Sequence, residues 1–105
     1  MATNRLDLLK QMVGQDPNNT FARYGLAMEY INSRQFEDAV KEFRALIERD
    51  EKYSAAYYHG GQALEALGRV EEARSMYETG IEASTRKGDL HTRSEIEAAL
   101  SLLPI

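Results

Sequence analysis

Side chains that could support catalysis or metal binding are few in this sequence and do not converge. His59 and His91 are the only histidines, they lie in different parts of the chain, and there is no cysteine. A zinc site needs several such ligands at short, fixed spacings. Glycine-rich phosphate loops and nucleophile motifs are also missing from the sequence. The residues therefore predict no metal site, no cofactor and no enzymatic activity.

The charge of the chain indicates which partners to expect. The formal net charge is −4 and the pI is near 5.2, whereas nucleic-acid binding needs clustered positive charge. Arg86, Lys87, His91 and Arg93 form only a modest basic group. Basic residues near a helix end and in a solvated turn account for such a group. Nucleic acid is therefore not an expected partner.

The N-terminal residues and the cysteine content bear on location. Leu6, Leu8 and Leu9 are interrupted by Asp7 and Lys10, so this stretch is amphipathic and matches neither a signal peptide nor a membrane span. The absence of cysteine fits a reducing compartment. We expect a cytoplasmic protein that does not enter a membrane.

The chain contains an internal repeat with a period of 34 residues. Residues one period apart agree in size and type: Ala22 with Ala56, Tyr24 with Tyr58, Glu37 with Glu71, Ala39 with Ala73, Phe43 with Tyr77, Ile47 with Ile81 and Glu48 with Glu82. Within each period the apolar residues recur at helical spacing, most clearly from Phe36 to Ile47. The pattern predicts consecutive pairs of helices.

Residue types at the ends of these segments predict where helices begin and end. Asn18, Asn19 or Thr20 is expected to cap the first helix of one pair, and Ser54 its counterpart in the next. Gly68 suits the left-handed residue that follows a helix.

The last helix is expected to be amphipathic. Its apolar face contains Ile96, Ala99, Leu100 and Leu103. Thr92 and Glu95 are spaced as a capping box. Leu90 and Leu102 fall outside the apolar face, so we expect both to be exposed unless a second chain or a partner covers them.

These residues resemble the tetratricopeptide repeat, a helix-turn-helix unit of the same period. The matching positions are Leu26-Ala27, Tyr30, Ala39 and Phe43 in the first repeat, and Tyr57, Gly60-Gly61, Leu64, Ala73 and Tyr77 in the second. Asp16-Pro17-Asn18-Asn19 is similar to the linker that commonly joins such repeats, whereas Arg23 replaces the expected tryptophan, and Glu51 and Thr85 replace the linker proline. The resemblance implies an all-α fold, a right-handed α-α superhelix of about six antiparallel helices.

The resemblance also implies a single domain over residues 1–105. It would comprise a partial N-terminal repeat helix and linker (1–19), repeat one (20–53), repeat two (54–87) and a C-terminal capping helix (88–105). Gly60 and Gly61 lie in the middle of a helix, where each costs about 0.8–1 kcal/mol relative to alanine. We expect close backbone contact to require them, with a functional hinge as the alternative.

In arrays of this kind the first helix of each pair lines a concave surface. The matching residues here are Phe21, Tyr24, Met28, Asn32, Ala55, Tyr58, His59, Gln62 and Glu65. Aromatic residues and methionine are effective at contact sites. The resemblance therefore implies a non-catalytic protein–protein interaction module that binds a peptide or helix with an apolar segment in this groove. Alternatively, these side chains pack among themselves, or the terminal helix covers them.

Two further functions are alternatives to this expectation. Some family members hold a terminal carboxylate with a clamp of basic and amide side chains, for which the matching positions here are Tyr24, Met28, His59, Asp89 and Arg93. Only Arg93 suits a carboxylate, so an acidic tail is not an expected ligand. The second alternative is self-assembly or scaffolding, in which incomplete terminal repeats pair with another copy. The expected state is a monomer or a weak homodimer.

Overall fold

The computed structural model describes residues 4–104, which form helices joined by short loops and contain no strand. The helices are α1 (Arg5–Gln15), α2 (Thr20–Asn32), α3 (Phe36–Arg49), α4 (Ser54–Ala66), α5 (Val70–Lys87) and α6 (Leu90–Ser101). The predicted all-α fold with six helices is confirmed. The division into repeats at residues 20–53 and 54–87 stays a prediction.

Each helix packs against its neighbours in sequence, and α4 also contacts α6. The array is elongated, with extents of 47 × 28 × 19 Å. Ala39 and Ala73 are fully buried, as are the large side chains of Phe43, Leu46 and Tyr77. The small residues let adjacent helices approach, and the large ones fill the space between them. This is the stacked arrangement of helix pairs that the repeat predicts.

The two turns within helix pairs have the same geometry one period apart. Arg34 and Gly68 both have positive φ, 61° and 75°. In each turn the next residue donates a backbone hydrogen bond to the preceding helix, from Gln35 to Tyr30 at 2.8 Å and from Arg69 to Leu64 at 2.9 Å. The predicted role of Gly68 is confirmed.

The helix caps predicted at Ser54 and Thr92 are wrong, because both residues lie inside helices and donate hydrogen bonds to Asp89. Asn19 caps α2 as expected, accepting from the Ala22 amide at 3.0 Å. Ser54, however, is already inside α4, and its hydroxyl donates to Asp89 Oδ2 at 2.6 Å. Thr92 likewise lies inside α6, where its amide donates to Asp89 Oδ1 at 3.1 Å. These hydrogen bonds, that from Ser54 first, lower the pKa of Asp89 to about 2.

The paired glycines of α4 differ in how closely other side chains approach. A methyl group on Gly61 would overlap the Tyr77 ring, coming within 2.6 Å of Cδ1. On Gly60 it would lie 3.4 Å from Met76 Cε and Phe43 Cβ, an ordinary contact. The expected close contact is therefore confirmed at Gly61, where α5 packs directly on the backbone of α4.

Candidate protein-binding site

An aromatic cluster joins α2 to α4. The Tyr24 ring centroid lies 5.4 Å from that of Tyr53, 6.1 Å from that of His59 and 6.3 Å from that of Phe43. His59 in turn lies 5.1 Å from Tyr58 and stacks on Phe43 at 6.3 Å. The structure thus brings together three of the predicted contact residues, Tyr24, Tyr58 and His59.

Sequence reasoning missed two members of this cluster. Tyr53 lies in the loop before α4, outside the helices on which the concave face was sought. Phe43 was assigned to the core, and it is fully buried, yet its ring lies beneath His59. An aromatic residue immediately before a helix that carries two further aromatic residues was the available signal for Tyr53.

Beside the cluster, a groove of about 410 Å³ separates α4 from α6. We call it the α4–α6 groove; its lining residues are Tyr58, Gln62, Glu65, Glu95, Ala98, Ala99 and Leu102. The last helix forms one wall, and Gln62, Glu65 and Leu102 remain exposed. The groove is therefore open to solvent among the residues that the structure describes.

The α6 wall was not predicted because the 34-residue period fails at that point. A shift of 34 residues places Ile96 on Gln62, but Ile96 is fully buried and Gln62 is exposed. The reason is the length of α5, which has 18 residues where α3 has 14. The signal available in the sequence was the spacing of Glu95, Ala98, Ala99 and Leu102, which places these four residues on one side of α6.

The other predicted contact residues lie outside this groove. Phe21 is 80% exposed, and Asn32 is exposed at the end of α2. Met28 is half-buried and packs on the core. Ala55, also half-buried, does not line the groove. Leu90 and Leu102 are exposed, as expected for residues outside the apolar face of α6.

Glu65 connects the groove to the core. Its carboxylate accepts a hydrogen bond from the hydroxyl of Tyr77, whose ring is fully buried. Burial and, next, this hydrogen bond raise the pKa of Tyr77. Glu65 therefore fixes the position of the α5 ring that packs against Gly61.

Glu95 faces the aromatic cluster from α6. Burial raises the pKa of Tyr24, and the negative charge of Glu95 raises it further. Burial lowers the pKa of His59, while Glu95 and a hydrogen bond with Gln62 oppose that shift. The imidazole at the centre of the cluster is therefore neutral at pH 7.

The lowered pKa of His59 predicts that folding stability depends on pH. Its folded-state pKa lies below the value of about 6.5 for an unfolded chain, so between these values the unfolded state binds more protons. The contribution of neutral His59 to folding stability is complete above about pH 6.5. It is lost as the pH falls through the folded-state pKa of His59. An NMR titration should show a midpoint for His59 below about 6.5, the value of an unperturbed histidine. A His59 midpoint above about 6.5 would contradict the prediction.

A second groove, of about 550 Å³, lies between α3 and α5. Its floor is formed by Ile47, Tyr57 and Met76. At its rim Arg44 pairs with Glu72 at 3.0 Å, and the Tyr57 hydroxyl donates to a backbone oxygen at 2.7 Å. Two polar groups at this rim are therefore already paired within the chain.

Two kinds of feature are absent from residues 4–104. No group of three or more histidine, cysteine, aspartate or glutamate side chains there could hold a metal ion. None of the described helices combines the length and the apolar character needed to cross a membrane.

The packing of consecutive helix pairs and the equivalent turns one period apart are typical of a helical repeat protein. The profile of the tetratricopeptide repeat family matches residues 24–87. The chain belongs to the tetratricopeptide repeat family. A TPR repeat-containing protein of Pseudomonas aeruginosa is 30% identical over 95 residues, which are 90% of each chain.

Solved tetratricopeptide repeat structures agree with this assignment. A Bordetella parapertussis protein solved in solution has a TM-score of 0.82 and 28% identity, covering 95% of this chain and 87% of its own. The second TPR domain of human RPAP3, solved in complex with an HSP70 peptide, has a TM-score of 0.72 and 26% identity, covering 88% and 78%. The fold is thus one used for protein interaction.

Proposed function

We propose that this tetratricopeptide repeat protein is a non-catalytic interaction module that binds a peptide or helix of a partner protein in the α4–α6 groove. The observation that carries the proposal is an open groove beside a cluster of aromatic rings. Exposed Leu102 and the small side chains of Ala98 and Ala99 give the groove an apolar wall against which a ligand can pack.

The RPAP3 domain supports this proposal because it is a similar array that holds a peptide. Aromatic side chains in a groove supply large contact area at low conformational cost. The cytoplasm is the proposed location, since a chain without cysteine suits a reducing compartment. The partner is a protein segment with an apolar side chain.

The test is recovery of partners from an extract of the source cell, followed by measurement of Kd with the purified partner. Tyr58 lines the groove, and Tyr24 packs in the adjoining aromatic cluster. Changing both to alanine should weaken binding at least about tenfold, the loss expected when contact aromatics are removed. Gln62→Trp should do the same by filling the groove from an exposed position. Phe36→Ala removes a half-buried aromatic ring elsewhere and should leave binding unchanged once folding is confirmed by circular dichroism. Unaltered Kd in the first two variants would refute the proposal.

Self-assembly is the second candidate, favoured by exposed apolar residues on α1. Leu8 is 50% and Met12 36% exposed there, and a second copy could cover them. Sedimentation of the chain alone at high micromolar concentration distinguishes the candidates, because a monomer under that condition removes this one.

A further inference from the structure

The α4–α6 groove carries negative charge that no basic side chain of its lining balances. Its charged lining residues are Glu65 and Glu95, with no lysine, arginine or histidine. Neither carboxylate has a lysine or arginine partner within 4 Å among the described residues. Glu65 accepts from the Tyr77 hydroxyl, and Glu95 approaches only His91 Nε2, at 3.6 Å.

On α6, the acidic side chain that faces away from the groove has a basic partner. Glu97, two residues after Glu95, pairs with Arg93 at 3.5 Å. On α6, therefore, the acidic side chain that faces the groove has no lysine or arginine partner among residues 4–104, whereas the one that faces away has one.

The remaining walls suit the aliphatic stem of a basic side chain. Lysine and arginine lay their methylene groups along apolar surface while the charged end reaches polar groups. Ala98 and Leu102 supply such a surface, and Leu102 is 83% exposed. The Tyr58 ring forms the opposite wall and can face a cation.

We infer that the groove selects a partner segment in which a lysine or arginine side chain stands next to aliphatic residues. The cation would lie between Glu65 and Glu95, against the Tyr58 ring, and a neighbouring aliphatic side chain would cover Leu102. This inference rests on the proposed function and names the chemistry of its ligand. It also gives the physical reason why an acidic tail does not fit.

The test uses short acetylated and amidated peptides of sequence Gly-Leu-X-Leu-Gly, in which X is lysine, arginine, norleucine or glutamate. Binding is followed by NMR titration of the labelled full chain, through the amide signals of Gln62, Glu95 and Leu102. The lysine and arginine peptides should bind about fivefold more tightly than the norleucine peptide, as expected for partly exposed charge pairs. The glutamate peptide should bind most weakly, and the differences should shrink at about 1 M salt.

Matched variants test whether Glu95 causes the preference for basic peptides. Glu95→Gln should reduce the advantage of the lysine peptide over norleucine about threefold, and Glu95→Lys should reverse the order of the lysine and glutamate peptides. Glu97→Gln removes the same charge from the other side of α6 and should preserve the order. Neither site supports the core, since both side chains are exposed.

The possible outcomes separate this inference from the proposed function. Groove signals that shift equally with all four peptides would overturn the charge selection and leave the groove function standing. No shift with any peptide would refute both. Groove signals that move with protein concentration alone would identify a second copy of the chain as the occupant and also overturn the inference.

Discussion

Replacing Glu42 with alanine is expected to lower the free energy of unfolding by about 3–5 kcal/mol, the usual cost of removing one partner of a buried ion pair. Glu42 Oε1 lies 2.7 Å from Arg23 Nη1, and the two side chains are only 17% and 9% accessible. Arg23 Nη2 also donates to the Pro17 carbonyl at 3.0 Å. Without the carboxylate, the guanidinium remains buried with one backbone acceptor and no counter-charge. Urea denaturation followed by circular dichroism measures the loss.

A double variant separates the net contribution of the ion pair from the cost of leaving one buried charge unpaired. Arg23→Met together with Glu42→Leu should recover most of the stability, because apolar residues of similar volume replace buried ion pairs at little cost. Arg23 Nε has no hydrogen-bond partner, so the pair itself is incompletely satisfied. A loss below about 1 kcal/mol for Glu42→Ala, the range of an exposed pair, would show that Arg23 reaches solvent and would contradict the prediction.

Replacing Gly61 with alanine is expected to destabilise the chain by about 1–3 kcal/mol, although alanine is the better helix former. The added methyl group would overlap the ring of Tyr77, which is fully buried. The ring cannot move aside easily, because its hydroxyl is bonded to Glu65. Overlap between a backbone-fixed methyl group and a fixed ring must be relieved by separating α4 from α5. The thermal midpoint and the urea midpoint should both fall.

The adjacent glycine provides the matched control. Gly60→Ala places a methyl group 3.4 Å from Met76 Cε, the flexible end of a side chain, and from Phe43 Cβ. The helix-propensity gain of about 0.8–1 kcal/mol should then dominate, giving neutral or increased stability. The same substitution at neighbouring positions thus has opposite expected signs. Equal effects at both sites would show that packing against Tyr77 is not what requires Gly61.

The Gly61 prediction concerns a contact that also positions the groove. Tyr77 holds Glu65 at one wall, and the Asp89 carboxylate ties Ser54 of α4 to the start of α6 at the other. The groove therefore depends on how α5 and α6 pack on α4, and a substitution that separates these helices should weaken ligand binding as well as stability.

The repeat and the helices were determined by the sequence itself, because they depend on side-chain size at fixed spacing. Ala39, Ala73 and Tyr77 are buried where the 34-residue period places them. The left-handed residue predicted at Gly68 is found, and Arg34, one period earlier, also has a positive φ. Such features are local or repeat along the chain, so one periodic pattern specifies them all.

Only the tertiary structure decided which residues form the groove. A helix turns by about 100° per residue, so a small change in where it starts redirects every side chain on it. The longer α5 changes the start of α6 and brings Glu95, Ala98 and Leu102 to face α4. The Arg23–Glu42 pair and the bond from Ser54 to Asp89 likewise join residues on separate helices. Contacts of this kind depend on helix lengths and packing together, and no periodic pattern contains them.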